Sequence, residues 1–587
     1  MAIVTRWIRS PEAATSRTAL RERLLGPSAP PGTGGPPRTR IPGTPAAVWA
    51  FATRHAFWLV PALITALAAW LRLVNLSTPH DLIFDETYYV KDAFTLLQSG
   101  FERQWPDEGA DEAFLAGDPQ PLDERSYVVH PPLGKWLIGL GMLAFGTDNG
   151  LGWRFAPAVA GTLSVLLVYL VGRKLLGSIL LGGIAALLTA VDGHHIVMSR
   201  TALLDIFTMF FCLAAFYVLL LDRDDGRRRL AALAAAAVVP GQRAAQLLYG
   251  PWNAWRPWRL VAGVMLGAAV GTKWSALAYV AAFGLLTVLW DVGARRAAGV
   301  RYWGAAGLFR DGIPAFLTII PAAAATYLAT WTGWLRTAGG YHRQWAENNP
   351  EAAWPLVPDA LRSLAEYHRS AYDFHRGLGS EHSWESGPET WLFAGRPVLY
   401  HYDSPTAADG CAFETCSRVV TDLPNPLIWW SAALALLVVL FFWAGARDWR
   451  AGAILAGVAA GFVPWWFYPE RTMFFFYTIA FHPFMMLALA YVLGLALGAP
   501  TAGRRPRLLP GSPAGPPLGH LPPSAAPPEH DDARTAVASE RRRAGLAVVG
   551  VFMALAIALS AFFWPVWTGQ TISYEAWHLR VWLPSWG

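Results

Sequence analysis

The chain has 587 residues, of which 54% are hydrophobic, 13% aromatic and only 15% charged, with 30 Trp and a mean hydropathy of +0.31. Soluble domains carry about 25% charged residues, so the composition excludes disorder, coiled coil and disulfide scaffold and argues against an ordinary soluble enzyme. The net charge of +6 comes with no basic run interleaved with aromatics away from the apolar blocks, so it reads as orientation in a bilayer and not as a nucleic-acid footprint.

Residues 1–48 carry seven Arg against two Glu and are rich in Pro and Gly, which predicts a disordered basic cytoplasmic tail. A first span is expected at about 56–74. The following segment, 75–152, holds 13 Asp and Glu against four Lys and Arg and reads as the first external loop. Within it, 83–97 and 132–145 look like short helices, the second too short for a comfortable span and so expected along the interface.

Further spans are expected at about 153–172, 176–191, 201–221, 259–272, 275–291, 312–331, 427–445, 451–468, 472–497 and 543–564, eleven in all. Alternating sides from a cytoplasmic start puts Arg173 and Lys174, the 223–229 cluster, 243–259, 295–310, 447–450, 504–507 and 541–543 inside, as the positive-inside rule requires. The resulting domains are the tail 1–48, an N-terminal catalytic membrane module 49–331, a long external loop 332–426, and a C-terminal membrane module 427–587. The last contains a linker, 499–542, whose ten prolines predict a flexible cytoplasmic tether. The C-terminus falls outside.

Ionisable groups at the ends of membrane helices are costly to hold there and mark sites. They gather on the external side: Asp85 and Glu86; Lys135 after His130-Pro131-Pro132; Arg154; His194, His195, Arg200 and Asp205; Lys273; and Glu470 with Arg471. Neighbours on a helix point about 100° apart, so Asp85 and Glu86 cannot both face one target. One can act as a base while the other braces a loop or a cation; alternatively both cap the helix N-terminus. Lys135, Arg154, Arg200 and Lys273 either clamp a phosphate or snorkel to the interface. The adjacent His194 and His195 lack the i, i+4 spacing of a helical zinc pair, and three cysteines exclude a Cys-based cluster, so no metal is expected. Cys212 reads as core packing. Cys411 and Cys416 lie close together in the long loop, where a disulfide forms if that loop faces an oxidising compartment. The aromatic runs 465–468 and 474–477 read most simply as interfacial belt and lipid-facing packing; at an outer-leaflet site such aromatics could also face a sugar or a prenyl chain.

The ordered set Phe84-Asp85-Glu86-Thr87-Tyr88-Tyr89, His130-Pro131-Pro132-Leu133-Gly134-Lys135, Arg154-Phe155-Ala156-Pro157, Met198-Ser199-Arg200 through Asp205, Gly271-Thr272-Lys273-Trp274-Ser275 and Glu470-Arg471-Thr472-Met473-Phe474 resembles the protein O-mannosyltransferases, bacterial type. The resemblance spans about 50–587. It implies an all-α polytopic C-type glycosyltransferase fold with about eleven transmembrane helices and an external catalytic loop carrying interface helices. It implies Asp85 as catalytic carboxylate, Glu86 as its supporting partner and Arg154 as an essential arginine; on charge alone, Lys135, Arg200 or Lys273 is expected to join Arg154 at the donor phosphate. His194, Asp205, His382 and Arg471 are further candidates. The implied partners are polyprenyl-phosphate mannose as lipid-linked donor substrate, with no cofactor, and unfolded Ser/Thr-containing polypeptides met at the secretion channel. The place is the plasma membrane. A lipid or cell-wall glycan acceptor stays open as an alternative; a transporter or scaffold would carry charges near helix centres, of which the expected spans hold few.

Overall fold

The computed structural model describes residues 44–237, 248–351, 356–499 and 529–587, together with Arg21, Leu24 and Leu25. Most of the basic tail, part of the 243–259 cluster and the proline-rich stretch 500–528 lie outside these residues. The fold is a helical membrane bundle. Among the described residues, eight helices are long and apolar enough to cross a membrane, including Gly150–Leu176, Pro426–Ala446 and Trp449–Phe467. A ninth span arises if Ile179–Val191 and Gly193–Arg200, bent by 60°, are taken together. Pro257–Val270 and His482–Ala496 are apolar but shorter. The protein is a multi-pass membrane protein.

Several expected boundaries move for identifiable reasons. Residues 192–200, read as a turn, form a helix, because the Asp192 side chain accepts the His195 N–H at 3.3 Å and caps a new start. The expected span 472–497 is a helix only over His482–Ala496, preceded by a 3₁₀ segment Phe475–Ala480; Pro483 sits in its first turn, where a missing N–H costs nothing. The helix holding the first span starts at Thr44, inside the expected tail. The helix holding the last span begins at Glu529, inside the expected tether, since all ten linker prolines lie at or before Pro528.

The first loop carries helices Glu86–Ser99, Ala110–Leu115 and Leu133–Phe145. The last of these lies against Gly150–Leu176 at a glycine contact: a Cβ on Gly141 would come within 2.3 Å of the Gly152 carbonyl, so only glycine permits the approach. The 332–426 loop folds around the helix Asp359–Gly377 and a hairpin, β1 (Leu399–Asp403) and β2 (Cys416–Thr421). The C-terminal β3 (Thr571–Ser573) adds to β2 antiparallel, pairing Ser417 with Ile572. A disulfide joins Cys411 to Cys416 at the base of β2. The tail closes over the same end: Trp586 is buried and its indole N–H donates to the Ala394 carbonyl at 2.8 Å. First loop, long loop and tail therefore share one end of the bundle, tied by Tyr367, whose hydroxyl donates to the Val128 carbonyl at 2.8 Å and accepts its N–H at 3.2 Å.

The opposite end gathers the basic residues with buried counter-charges. Arg256 and Arg259 bridge Asp222 and Asp291, while Arg295 pairs with Asp311. Lys174 pairs with Asp224 at 2.8 Å, and the Arg223 guanidinium lies 3.4 Å over the Trp449 ring.

Candidate active site

The helix Glu86–Ser99 begins in a turn that separates the two carboxylates. The Glu86 N–H donates to the Ile83 carbonyl at 3.0 Å, and the Ile83 N–H donates back to Glu86 Oε2 at 3.1 Å. Phe84 at the corner has φ +50°, a left-handed conformation that glycine adopts freely and that costs a bulky residue roughly 1–2 kcal/mol. Asp85 then sits at the N-cap position with φ −69°, ψ −4°, and its side chain makes no cap bond. The capping reading fails for Asp85.

Glu86 is wholly buried and fully used. Its carboxylate accepts Arg154 Nε at 2.9 Å and Nη2 at 2.7 Å, the Ala202 N–H at 2.8 Å and the Ile83 N–H. Such a bidentate, charge-assisted pair is the form in which a buried ion pair is tolerated. The remaining Arg154 donors reach the carbonyls of Leu76, Pro79 and Asp81 at 2.8–3.3 Å. Arg154 is 1% exposed and has no donor left for a ligand in this state.

Arg200 and Lys135 are likewise committed. The Arg200 guanidinium caps the C-terminus of the first helix, donating to the carbonyls of Leu71, Arg72, Val74 and Asn75. Lys135 pairs with Glu102 at 2.5 Å and approaches Asp92 at 3.6 Å; burial pushes the Asp92 carboxyl up to about 7 against the pull of Lys135. These three cations brace the first loop and do not line the cavity beside Asp85.

That cavity, about 320 Å³, lies at the loop-bearing end. Its polar lining includes His130, Asp205, Lys273, His375, Arg376, Arg471 and Tyr477, and its apolar lining includes Leu277, Ala278, Ala460, Gly461 and Pro464. The Lys273 ammonium is held between both Asp205 oxygens at 2.9 Å and the Tyr477 ring at 4.4 Å. Tyr477 stacks on Trp465 at 4.6 Å, and the Arg471 guanidinium lies 6.0 Å over that indole. An aromatic pair thus separates two cations. Segment 474–477 is accordingly not a lipid-facing belt: Phe475, Phe476 and Tyr477 are buried, and Tyr477 lines the cavity.

Asp85 is half-buried, 3.5 Å from the Tyr89 hydroxyl. Burial raises its pKa to about 6, with Lys273 opposing and Asp205 reinforcing the shift. His375 is lowered to about 4 by burial and Arg471, and burial with Lys273 holds His130 well below its ordinary range; both imidazoles are neutral at pH 7. A wider cleft of about 840 Å³ shares Trp465 and Arg471 with the cavity and is lined by Gly379, Glu385, Thr390 and Ser585.

The other expected residues fall apart into two groups. Asp205 and Arg471 line the cavity, while His382 is exposed and stands edge-on to Phe84 and Phe474. His194 lies inside the bundle, its Nδ1 2.7 Å from Asp422 and its Nε2 3.0 Å from Thr478; His482 pairs with Asp192 at 3.1 Å beside it. Among the described residues no group of three or more His, Cys, Asp or Glu is arranged to hold a metal. The sequence reading missed His375, Arg376 and Trp465 as site residues. The first two sit on the last turn of Asp359–Gly377, an amphipathic helix whose pattern resembles any solvated helix.

Residues 62–332 match the family model of dolichyl-phosphate-mannose–protein mannosyltransferases, and residues 360–586 that of the C-terminal four-transmembrane region of protein O-mannosyltransferases. The chain belongs to the dolichyl-phosphate-mannose–protein mannosyltransferase family. This protein O-mannosyltransferase family member is 37% identical over 538 residues to the polyprenol-phosphate-mannose–protein mannosyltransferase of Mycolicibacterium smegmatis, covering 90% of this chain and 93% of that one. To the Corynebacterium glutamicum protein of the same name it is 29% identical, again over 90% and 93%. Its fold is similar to the Saccharomyces cerevisiae protein O-mannosyltransferase Pmt1–Pmt2 complex bound to the sugar donor, with a TM-score of 0.62 over 90% of this chain and 92% of that one at 15% identity. The chain is a glycosyltransferase with the C-type fold.

Proposed function

We propose that the enzyme transfers mannose from polyprenyl-phosphate mannose to Ser and Thr hydroxyls of secreted or membrane polypeptides, by a single inverting displacement at the outer face of the plasma membrane. The names of the mycobacterial and corynebacterial relatives supply donor and acceptor classes. The arginine-rich end of the bundle is read as cytoplasmic by the positive-inside rule, which puts the N-terminus inside and the cavity and C-terminus outside. The observation that carries the reading is the division of labour at Asp85 and Glu86: one carboxylate is consumed by Arg154, while its uncapped neighbour lies within electrostatic reach of Lys273 and Asp205, which line a cavity that also presents Arg376, Arg471 and apolar residues.

The prenyl chain would enter between Leu277–Ala297 and Trp449–Phe462, past Ala278, Ala460 and Gly461. Its phosphate would meet Lys273, Arg376 and Arg471, and the acceptor strand would lie over the cleft that shares Trp465. Asp85 takes the acceptor proton as the hydroxyl oxygen bonds to the anomeric carbon. The bond from that carbon to the phosphate oxygen breaks, its electron pair leaving on a prenyl monophosphate whose added charge the cations stabilise. Because Asp205 neutralises Lys273, the uncompensated positive charge comes from Arg376 and Arg471.

The test is transfer of labelled mannose from polyprenyl-phosphate mannose to a Ser/Thr peptide by the purified protein in liposomes. Product on the peptide, with the anomeric configuration opposite to the donor's, is expected. Transfer only to added lipid or glycan acceptors would overturn the protein-acceptor reading. In the same assay Arg471→Met should raise the donor KM about 10- to 100-fold, the range of a lost charge-assisted hydrogen bond. An unchanged KM would move the phosphate away from Arg471.

A further inference from the structure

The turn before Asp85 holds a phenylalanine where glycine would be unstrained, and its ring is enclosed. Phe84 stacks on Tyr400 at 4.9 Å and meets Phe474 and Phe476 edge-on at 5.7 Å and His382 at 6.1 Å. All four partners come from the 332–426 loop or the 474–477 segment, whereas Phe84 and Asp85 belong to the first loop. Strained backbone persists only where its surroundings over-determine it, and here the surroundings are a ring box built by the opposite half of the chain. Phe476 continues from the box to the cavity, 5.6 Å beneath the Lys273 ammonium.

We propose that Phe84 is the positioning residue for Asp85: the box holds residue 84 left-handed, and that corner turns the Asp85 carboxylate out of the helix cap and toward the cavity. The reading rests on Asp85 as the base. With a relaxed residue 84, Asp85 is free to rotate into the ordinary cap position over the N–H groups of the Glu86–Ser99 helix, where a carboxylate is favoured. It then leaves the acceptor hydroxyl. The charged and titratable groups facing Asp85 are Tyr89 on its own helix, Lys273 and Asp205 from the adjoining spans, and Tyr400, with His382 at the box's outer edge.

The experiment compares Phe84→Gly, Phe84→Tyr and Asp85→Asn as full-length protein in liposomes, reading kcat, donor KM, the acidic limb of the pH–rate profile and thermal stability. Glycine accepts φ +50° and other conformations alike without strain, so the fold is retained while the box is emptied and nothing any longer holds residue 84 in the left-handed corner. The expected result for Phe84→Gly is a kcat lowered at least tenfold, a donor KM within twofold, and an acidic limb moved toward the ordinary carboxylate range. Phe84→Tyr keeps the ring and should restore kcat and the limb. Phe84→Gly with wild-type kcat and an unmoved limb, or a loss explained wholly by less folded protein, overturns the proposal while Asp85→Asn remains inactive. Near wild-type activity in Asp85→Asn would instead overturn the underlying assignment of the base, and this proposal with it.

Discussion

Asp85→Asn should lower kcat by about 10²–10⁴-fold, the range of a positioned general base, with the protein inserted and as stable as the parent. The isosteric amide keeps the shape of the turn and forfeits only the proton acceptor. Stability should not fall, for a reason of sign. A carboxylate whose folded pKa is raised to about 6 binds its proton more tightly folded than unfolded, so its ionisation above that pH opposes folding. The neutral amide removes that cost. The same shift sets the pH dependence of the parent: kcat/KM should be flat above about pH 7 and fall tenfold per unit below about 6, as the base is protonated. A limb below pH 4.5 would mean an Asp85 as hydrated as a surface carboxylate. Mannose transfer by Asp85→Asn at near the parent rate would take Asp85 out of the chemistry.

The long apolar blocks and the one-sided arginines were legible in the sequence because hydropathy and charge are local properties of a segment. Helix geometry separated Asp85 from Glu86 but left the capping alternative open, and only the structure closes it for Asp85. What could not be read was which cation has a private partner. Arg154, Lys135 and Arg200 look alike beside Lys273 until the carbonyls of Leu76, Pro79 and Val74 and the Glu102 carboxylate appear. Backbone acceptors and carboxylates from other segments carry no sequence mark. Buried ion pairs at the ends of spans escaped the sequence for the same reason. Asp222 and Asp291, at the ends of spans, are buried against Arg256 and Arg259, and counting net charge hides neutralised pairs. The three-stranded sheet was missed because β3 has only three residues and finds its partner about 150 residues earlier, a pairing that no local pattern announces.

The Arg154–Glu86 pair carries the second large effect, and it separates bracing from phosphate binding. Glu86→Ala should strand a buried guanidinium and cost about 3–5 kcal/mol, seen as a sharply shortened half-life of monodisperse protein on heating. Arg154→Lys should be destabilising too, because one ammonium cannot serve a carboxylate and the carbonyls of Leu76, Pro79 and Asp81 together. Replacing both residues by Met should recover much of the stability lost in either single variant, since the pair's penalty lies in the uncompensated charge. Activity should not recover alongside it, because without Glu86 the Ile83 and Ala202 N–H groups lose their acceptor and the turn that sets Asp85 loosens. The donor KM distinguishes the two roles. A brace predicts Arg154→Lys with lowered stability and a KM near that of the parent. A KM raised more than tenfold at parental stability would return the phosphate to Arg154 and require the guanidinium to let go of Glu86 when the donor binds.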